Sequence, residues 1–189
     1  MRGRRNPLDI KQAVINYQPY NEQERMDKEQ LLEYIDTYDN LYTRENETAH
    51  FTASAWVVNK DRTKVLMAFH DIYQSWSWLG GHVDGETDFL EVAIKEVKEE
   101  SGVENVRPVN EEIYGIEVLP VPSHMKNGEP IAYHHHLNIT YLLEADEDET
   151  VQIKEDENSA VGWLTLEEAV TMPSEPEMIL VYQKLNEKL

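Results

Sequence analysis

The sequence predicts an α/β layered domain, helices around a mixed β-sheet, preceded by a helical extension. Three observations predict it. The apolar residues change from a helical period to a strand-like one at Phe51. Strand-like and helix-like stretches then follow one another to the end of the chain, the pattern of an α/β layer. A glycine-rich passage also delivers the chain into an amphipathic helix with carboxylates gathered on one face.

The elements follow in order. Residues 1–45 form the extension: Asn21 to Tyr38 carries Met26, Leu31, Leu32, Tyr34, Ile35 and Tyr38 at roughly helical spacing. Arg2, Arg4 and Arg5 ahead of it read as a mobile tail. Residues 46–189 form the body. Phe51 to Val58 and Lys64 to Phe69 are two strands joined by a turn at Asn59 to Arg62. A Trp/Gly-rich passage, Trp76 to Gly85, leads to a helix from about Asp88 to Ser101, which Gly102 ends. Ile113 to Val121 and Tyr133 to Leu143 are strands separated by the turn-rich Ser123 to Pro130. Val161 to Leu164 is a short strand and Leu166 to Val170 a short helix. After Pro173 and Pro176, Met178 to Leu189 closes the chain as a helix.

Composition bounds the function. With 189 residues, 40% of them apolar, the chain can bury a core. It has no cysteine, which excludes a disulfide scaffold, a zinc-thiolate site and a cysteine nucleophile. No apolar stretch approaches a membrane span, and Met1 to Ile10 lacks the apolar segment of a secretory signal. The expectation is a cytoplasmic protein with no membrane partner. The formal net charge is −20, with 37 acidic against 17 basic residues. Such a surface repels a phosphate backbone, so nucleic acid is not the expected partner. A small phosphorylated substrate remains compatible, because a bound divalent cation reverses the potential locally.

The informative segment is Gly80 to Val103, GGHVDGETDFLEVAIKEVKEESGV. On a helical wheel Leu90, Ala93, Ile94 and Val97 form one stripe, which faces the core. Glu96, Glu99 and Glu100 share a second face, and Lys95 and Lys98 a third. Local physics disfavours this carboxylate face. Like charges at i,i+3 and i,i+4 cost roughly 0.2–0.5 kcal/mol per pair, and Glu96 makes two such pairs. The helix dipole disfavours anions in the last turn, where Glu99 and Glu100 sit. Glu100 borders the apolar stripe, and Glu99 has Lys95 four residues before it. A solvated charged face is the ordinary reading of a glutamate-rich helix. This one concentrates repulsion, which points to a functional demand that a hard, oxygen-seeking cation such as Mg²⁺ or Mn²⁺ meets. Gly80, Gly81 and Gly85 lead to the helix N-terminus, where free N–H groups favour an anion.

At these residues the chain resembles the Nudix family of pyrophosphohydrolases. Gly81 opens the family signature, and Lys95-Glu96-Val97-Lys98-Glu99-Glu100-Ser101-Gly102-Val103 closes it in register. Two positions depart from it. Glu86 arrives one place early, and Lys95 stands for the signature arginine, keeping the charge without the bidentate fork. The resemblance implies an α/β/α sandwich and metal-dependent attack by water on a diphosphate, in a nucleoside diphosphate linked to another group. It implies Glu96, Glu99, Glu100 and the Gly81 carbonyl as metal ligands, with Mg²⁺ the expected ion and Mn²⁺ an alternative. One of these glutamates, or one supplied by a loop, is the general base. Glu157, in the acidic loop before Trp163, is the loop candidate. A homodimer is compatible with the family.

Substrate contacts are expected from His82 in the glycine loop, Lys95, Glu86 and Trp76. Trp76, with Trp78 and Tyr73, could stack a base, against the plainer reading of Trp78 as core and Trp76 as rim packing. His134 and His136 head a strand on one face, His135 on the other. The rival to an enzyme is a non-catalytic domain that senses a nucleotide ligand. Lys95 and Glu86 keep that reading alive, and the intact glutamate set argues against it.

Overall fold

The computed structural model describes residues 9–126, 128–154 and 158–189. Arg2, Arg4, Arg5 and Glu157, singled out above, lie outside the described residues.

Two helices open the chain, α1 (Ile10–Asn16) and α2 (Glu22–Thr37). The Asn21 side chain accepts from the Glu24 N–H and starts α2, with Glu22 and Glu24 in the first turn, where the helix dipole favours anions. The helix α1 has only Ile10 and Val14 buried, too few apolar positions to announce it in the sequence.

An eight-stranded mixed sheet follows. Its path runs from β10 (Asn158–Thr165) through β2 (Lys64–His70) and β1 (Ala49–Val58) to β9 (His134–Glu144) and β5 (Arg107–Pro108). Three more strands pair onto it: β3 (Ser75–Ser77) on β2, β4 (Leu79–His82) on β1, and β6 (Gly115–Val121) on β9. The long pairing of β1 with β9 is parallel and every other pairing is antiparallel, so the sheet is mixed, as expected. The Trp/Gly-rich passage thus contains two short strands. The turn-rich segment holds a separate hairpin, β7 (His124–Lys126) with β8 (Glu129–Ile131). Three or four residues are too few for an alternating pattern to be read.

The helix α3 (Phe89–Ser101) begins at the Asp88 cap and ends at Gly102, whose φ of 72° is the left-handed conformation that glycine adopts without strain. The short α4 (Glu168–Thr171) and α5 (Pro176–Glu187) close the chain, Pro176 sitting in the first turn of α5, where its missing N–H costs nothing.

All ten residues of β1 are buried, and its two faces do different work. Phe51, Ala53, Ala55 and Val57 join Leu137, Ile139, Tyr141 and Leu143 of β9 beneath Phe89, Val92, Ala93 and Val97 of α3. The buried stripe of α3 is therefore turned slightly from the expected one, with Phe89 and Val92 inside and Leu90 and Ile94 half-buried. On the opposite face Trp56 and Val58 pack with Leu142 against Tyr182 and Leu185 of α5. Moving along that face toward the start of β1, the side chains turn polar: Ser54 and Thr52, then His50, beside Thr140, Asn138 and His136 of β9.

The polar middle of this face is saturated with hydrogen bonds. Asn138 bonds to Thr52 and Ser54, and both Asn138 and Thr140 donate to Glu117 of β6 at 2.8 Å. Glu117 in turn accepts from Lys184 of α5 at 2.6 Å, and Lys184 lies 2.9 Å from Glu24 of α2. Burial by itself pushes the Glu24 carboxyl up, but Lys184 and the Tyr17 hydroxyl outweigh it and hold the group below its ordinary value. Burial likewise pulls Lys184 down, and Glu117 and Glu24 reverse the shift. The cluster ties α2 to the sheet and to the closing helix.

Candidate active site and an adjoining histidine cluster

The site begins where α3 lies against β4. Opposite residues on paired strands share a face, so Gly81, opposite Ala53, looks toward α3, while His82, opposite Thr52, looks away. A methyl group on Gly81 would sit 2.7 Å from the carboxylate carbon of Glu96. The Glu96 carboxylate is therefore laid directly on the glycine backbone. Its neighbour Glu100 is buried, at 8% exposure, and accepts a hydrogen bond of 3.1 Å from the Gly80 N–H. Of the three expected ligands, Glu100 is thus hydrogen-bonded to the double glycine and Glu96 lies in close approach to it.

Glu99 is exposed and pairs with Lys95 at 3.5 Å. Lys95 therefore does engage the carboxylate face, as a single ion pair with one glutamate. The C-terminal turn of α3 is held from outside by Asn158, whose side chain donates to the Glu100 carbonyl at 3.2 Å and accepts from the Lys154 N–H at 3.1 Å. Asn158 had no signal in the sequence beyond its place in an acidic loop.

The loop from β4 into α3 is braced by the N-terminal segment. Asp84 takes a left-handed φ of 45°, and Arg44 grips its carboxylate through two bonds of 2.9 Å. The Gly85 N–H donates to the Tyr42 carbonyl. Glu86 is exposed in this turn, its N–H bonded to Val83. Trp76 lies on β3, half-buried and edge-on to Phe69 at 5.9 Å, beside the second core. Trp78 packs edge-on against Tyr182. Tyr73 is exposed and lies against His70.

His82 joins a different group. On the face away from α3 it meets His50 of β1 and His136 of β9, with ring centroids 4.9–5.1 Å apart in all three pairs. His134 lies beside them, its Nε2 3.3 Å from Nε2 of His136. One ligand nitrogen from each of His50, His82 and His136 lies within 4.8 Å of the other two, the one such tight group of donors among the described residues. Burial, followed by the neighbouring His82, His50 and His134 rings, pushes His136 down to about 2, and burial lowers His50. These two rings are neutral at pH 7.

The fold defines a hydrolase of acid anhydrides. The chain belongs to the Nudix family, whose domain model matches residues 48–185. It cleaves pyrophosphate bonds, as that family does; its members generally need divalent metal ions and act on small nucleotide derivatives. Among solved structures it is similar to a C. elegans Ap4A hydrolase (22% identity, TM-score 0.54, 72% of this chain and 95% of that one). It is also similar to a MutT protein from Methanosarcina mazei Go1 (17%, 0.56, 76% and 96%) and a NUDIX-family hydrolase from Clostridium perfringens (22%, 0.52, 73% and 96%). At these identities the likeness is one of fold. No curated protein matches the sequence significantly. No helix among the described residues is long and apolar enough to cross a membrane.

Proposed function

We propose that this hydrolase cleaves the diphosphate of a nucleoside diphosphate linked to another group, using Mg²⁺ or Mn²⁺ held by Glu96, Glu99, Glu100 and the Gly81 carbonyl. The observation that carries this reading is the close approach of Glu96 to Gly81 together with the hydrogen bond from Gly80 to Glu100. Carboxylate and carbonyl oxygens are the donors a hard cation takes, so the residues fit the ion. When bound, it offsets charge on the phosphate oxygens and lowers the pKa of the attacking water.

The chain's own residues supply the rest. The Gly80 N–H fixes the orientation of Glu100, and the missing side chain at Gly81 makes room for Glu96. Lys95 steers Glu99 and gives the cluster one balancing charge. Glu157, or one of the helix glutamates, takes the proton of the attacking water. Its chain neighbour Asn158 bonds to the last turn of α3, which supports a base delivered from that loop. Lys95 and the exposed Glu86 are the proposed contacts for the substrate beyond the scissile bond.

A hydrolysis screen tests this, with nucleoside triphosphates, ADP-sugars, dinucleoside polyphosphates and coenzyme A, each with Mg²⁺ and with Mn²⁺. The expected result is metal-dependent release of a nucleoside monophosphate, with kcat lowered roughly 10²-fold or more by Glu99→Gln or Glu100→Gln. Metal shown to bind and no turnover anywhere on the panel would overturn the substrate class.

A further inference from the structure

The histidine cluster lies on the sheet face opposite the carboxylates and takes no part in the mechanism above. Its geometry is that of a ligand set. The Nδ1 of His50 lies 3.1 Å from the Asn46 carbonyl, and since a carbonyl only accepts, Nδ1 carries the proton. The lone pair is left on Nε2, which is buried in a residue 5% exposed and accepts no hydrogen bond. His134 repeats the arrangement: its Nδ1 donates to the Ala132 carbonyl at 2.9 Å, and its Nε2 points at His136. An imidazole whose far nitrogen is oriented by a backbone carbonyl is the usual support of a metal-bound histidine. A buried lone pair without a donor also costs free energy unless something occupies it. Apolar packing does not explain the grouping, since these rings sit at the polar end of a face whose apolar core lies at Trp56 and Val58.

From these observations we propose that His50, His82 and His136 bind one transition-metal ion of the imidazole-seeking class, Zn²⁺ being the type, at a site separate from the helix carboxylates. Imidazole nitrogens suit Zn²⁺ and its neighbours, whereas Mg²⁺ prefers oxygen. Nitrogens about 2.0–2.1 Å from a tetrahedral zinc stand roughly 3.4 Å from one another. The three rings, whose nitrogens lie within 4.8 Å, reach that spacing by small side-chain rotations. Three protein ligands leave a fourth position, and His136 and His82 are part-buried rather than sealed, which leaves that position to water or a substrate oxygen. The ion joins β1, β4 and β9 at one point and anchors the residue that follows Gly81 to the strand frame.

The test uses the full chain with ZnCl₂ alone as the probe. Titration calorimetry and elemental analysis are carried out in excess Mg²⁺, on the wild type, on His50→Asn and His136→Asn, and on the double variant Glu99→Gln/Glu100→Gln. The expected result is one Zn²⁺ per chain and a raised Tm, unaffected by Mg²⁺ and retained in the glutamate variant. Each histidine variant, checked for native circular dichroism, then binds roughly a hundredfold or more weaker. Co²⁺ provides a readout free of any variant, its visible spectrum taking the intense tetrahedral form rather than the weak octahedral one. Absence of Zn²⁺ binding overturns the proposal. So does an ion lost in the glutamate variant and kept in both histidine variants, or an octahedral Co²⁺ spectrum.

Discussion

At Gly81 a single missing Cβ decides the geometry of a ligand. Its φ is not in the left-handed region, unlike those of Gly85, Gly102 and Gly128, so its backbone accepts alanine. What alanine cannot do is share space with the Glu96 carboxylate, 2.7 Å from the added methyl. Gly81→Ala is therefore expected to leave Tm nearly unchanged while lowering kcat about a hundredfold, since ångström displacements of positioning groups have costs of that order. Thermal melts beside steady-state rates check it, and an active variant would remove Glu96 from the site. Asp27 is the second residue with a sharp consequence. Burial raises its carboxyl from 3.8 to about 6, against the hydrogen bond from Gln23. A raised folded-state pKa contributes stability that is complete below about 4 and lost as pH climbs through about 6. At pH 7 charged Asp27 thus costs on the order of 2–3 kcal/mol, and Asp27→Asn should be the more stable protein there. Denaturant melts from pH 4 to pH 7 should show the two proteins diverging as pH rises, and parallel curves would refute the burial argument.

Between elements, the strongest coupling is the ion cluster of Glu24, Glu117 and Lys184, contributed by α2, β6 and α5. None of the three stands out in the sequence, because each is one charge among many on a strongly acidic chain. Burying a lysine against two carboxylates depends on helices distant in sequence arriving together. Lys184→Met leaves two buried carboxylates without their shared cation and should cost about 3–5 kcal/mol. Urea denaturation measures it, and a loss below about 1 kcal/mol would place the cluster in solvent. The helix α3 is the opposite case. Its start near Asp88, its Gly102 stop, the place of Glu100 beside the apolar stripe and the Lys95–Glu99 spacing were all legible, since each depends on neighbours within four residues. The hairpin of β7 with β8, and the strands β3 and β4, were not, because strands of three or four residues acquire their identity from the partner they pair with.

On the scale of the whole molecule, residues 9–45 are joined to the rest by more than a linker. Val14, Leu31 and Leu41 belong to the same apolar cluster as Phe51, Leu137 and Phe89, and Arg44 and Tyr42 hold the loop that leads into α3. A fragment of residues 46–189 is therefore expected to lose cooperative folding, since it exposes that cluster and strips Lys184 of Glu24. A cooperative melt within about 5 °C of the full chain would make the extension an accessory rather than part of the core. The sequence by itself determined the α/β class, the order of the long elements and the carboxylate helix, because amphipathic period, caps and the spacing of like charges are local and survive in one dimension. Only the tertiary structure decided that Gly81 and His82, adjacent in the chain, serve opposite faces of the sheet. It alone brought His50 to His136, and Glu24 to Lys184. Those meetings are set by strand register and helix packing across long loops, and no local pattern encodes them.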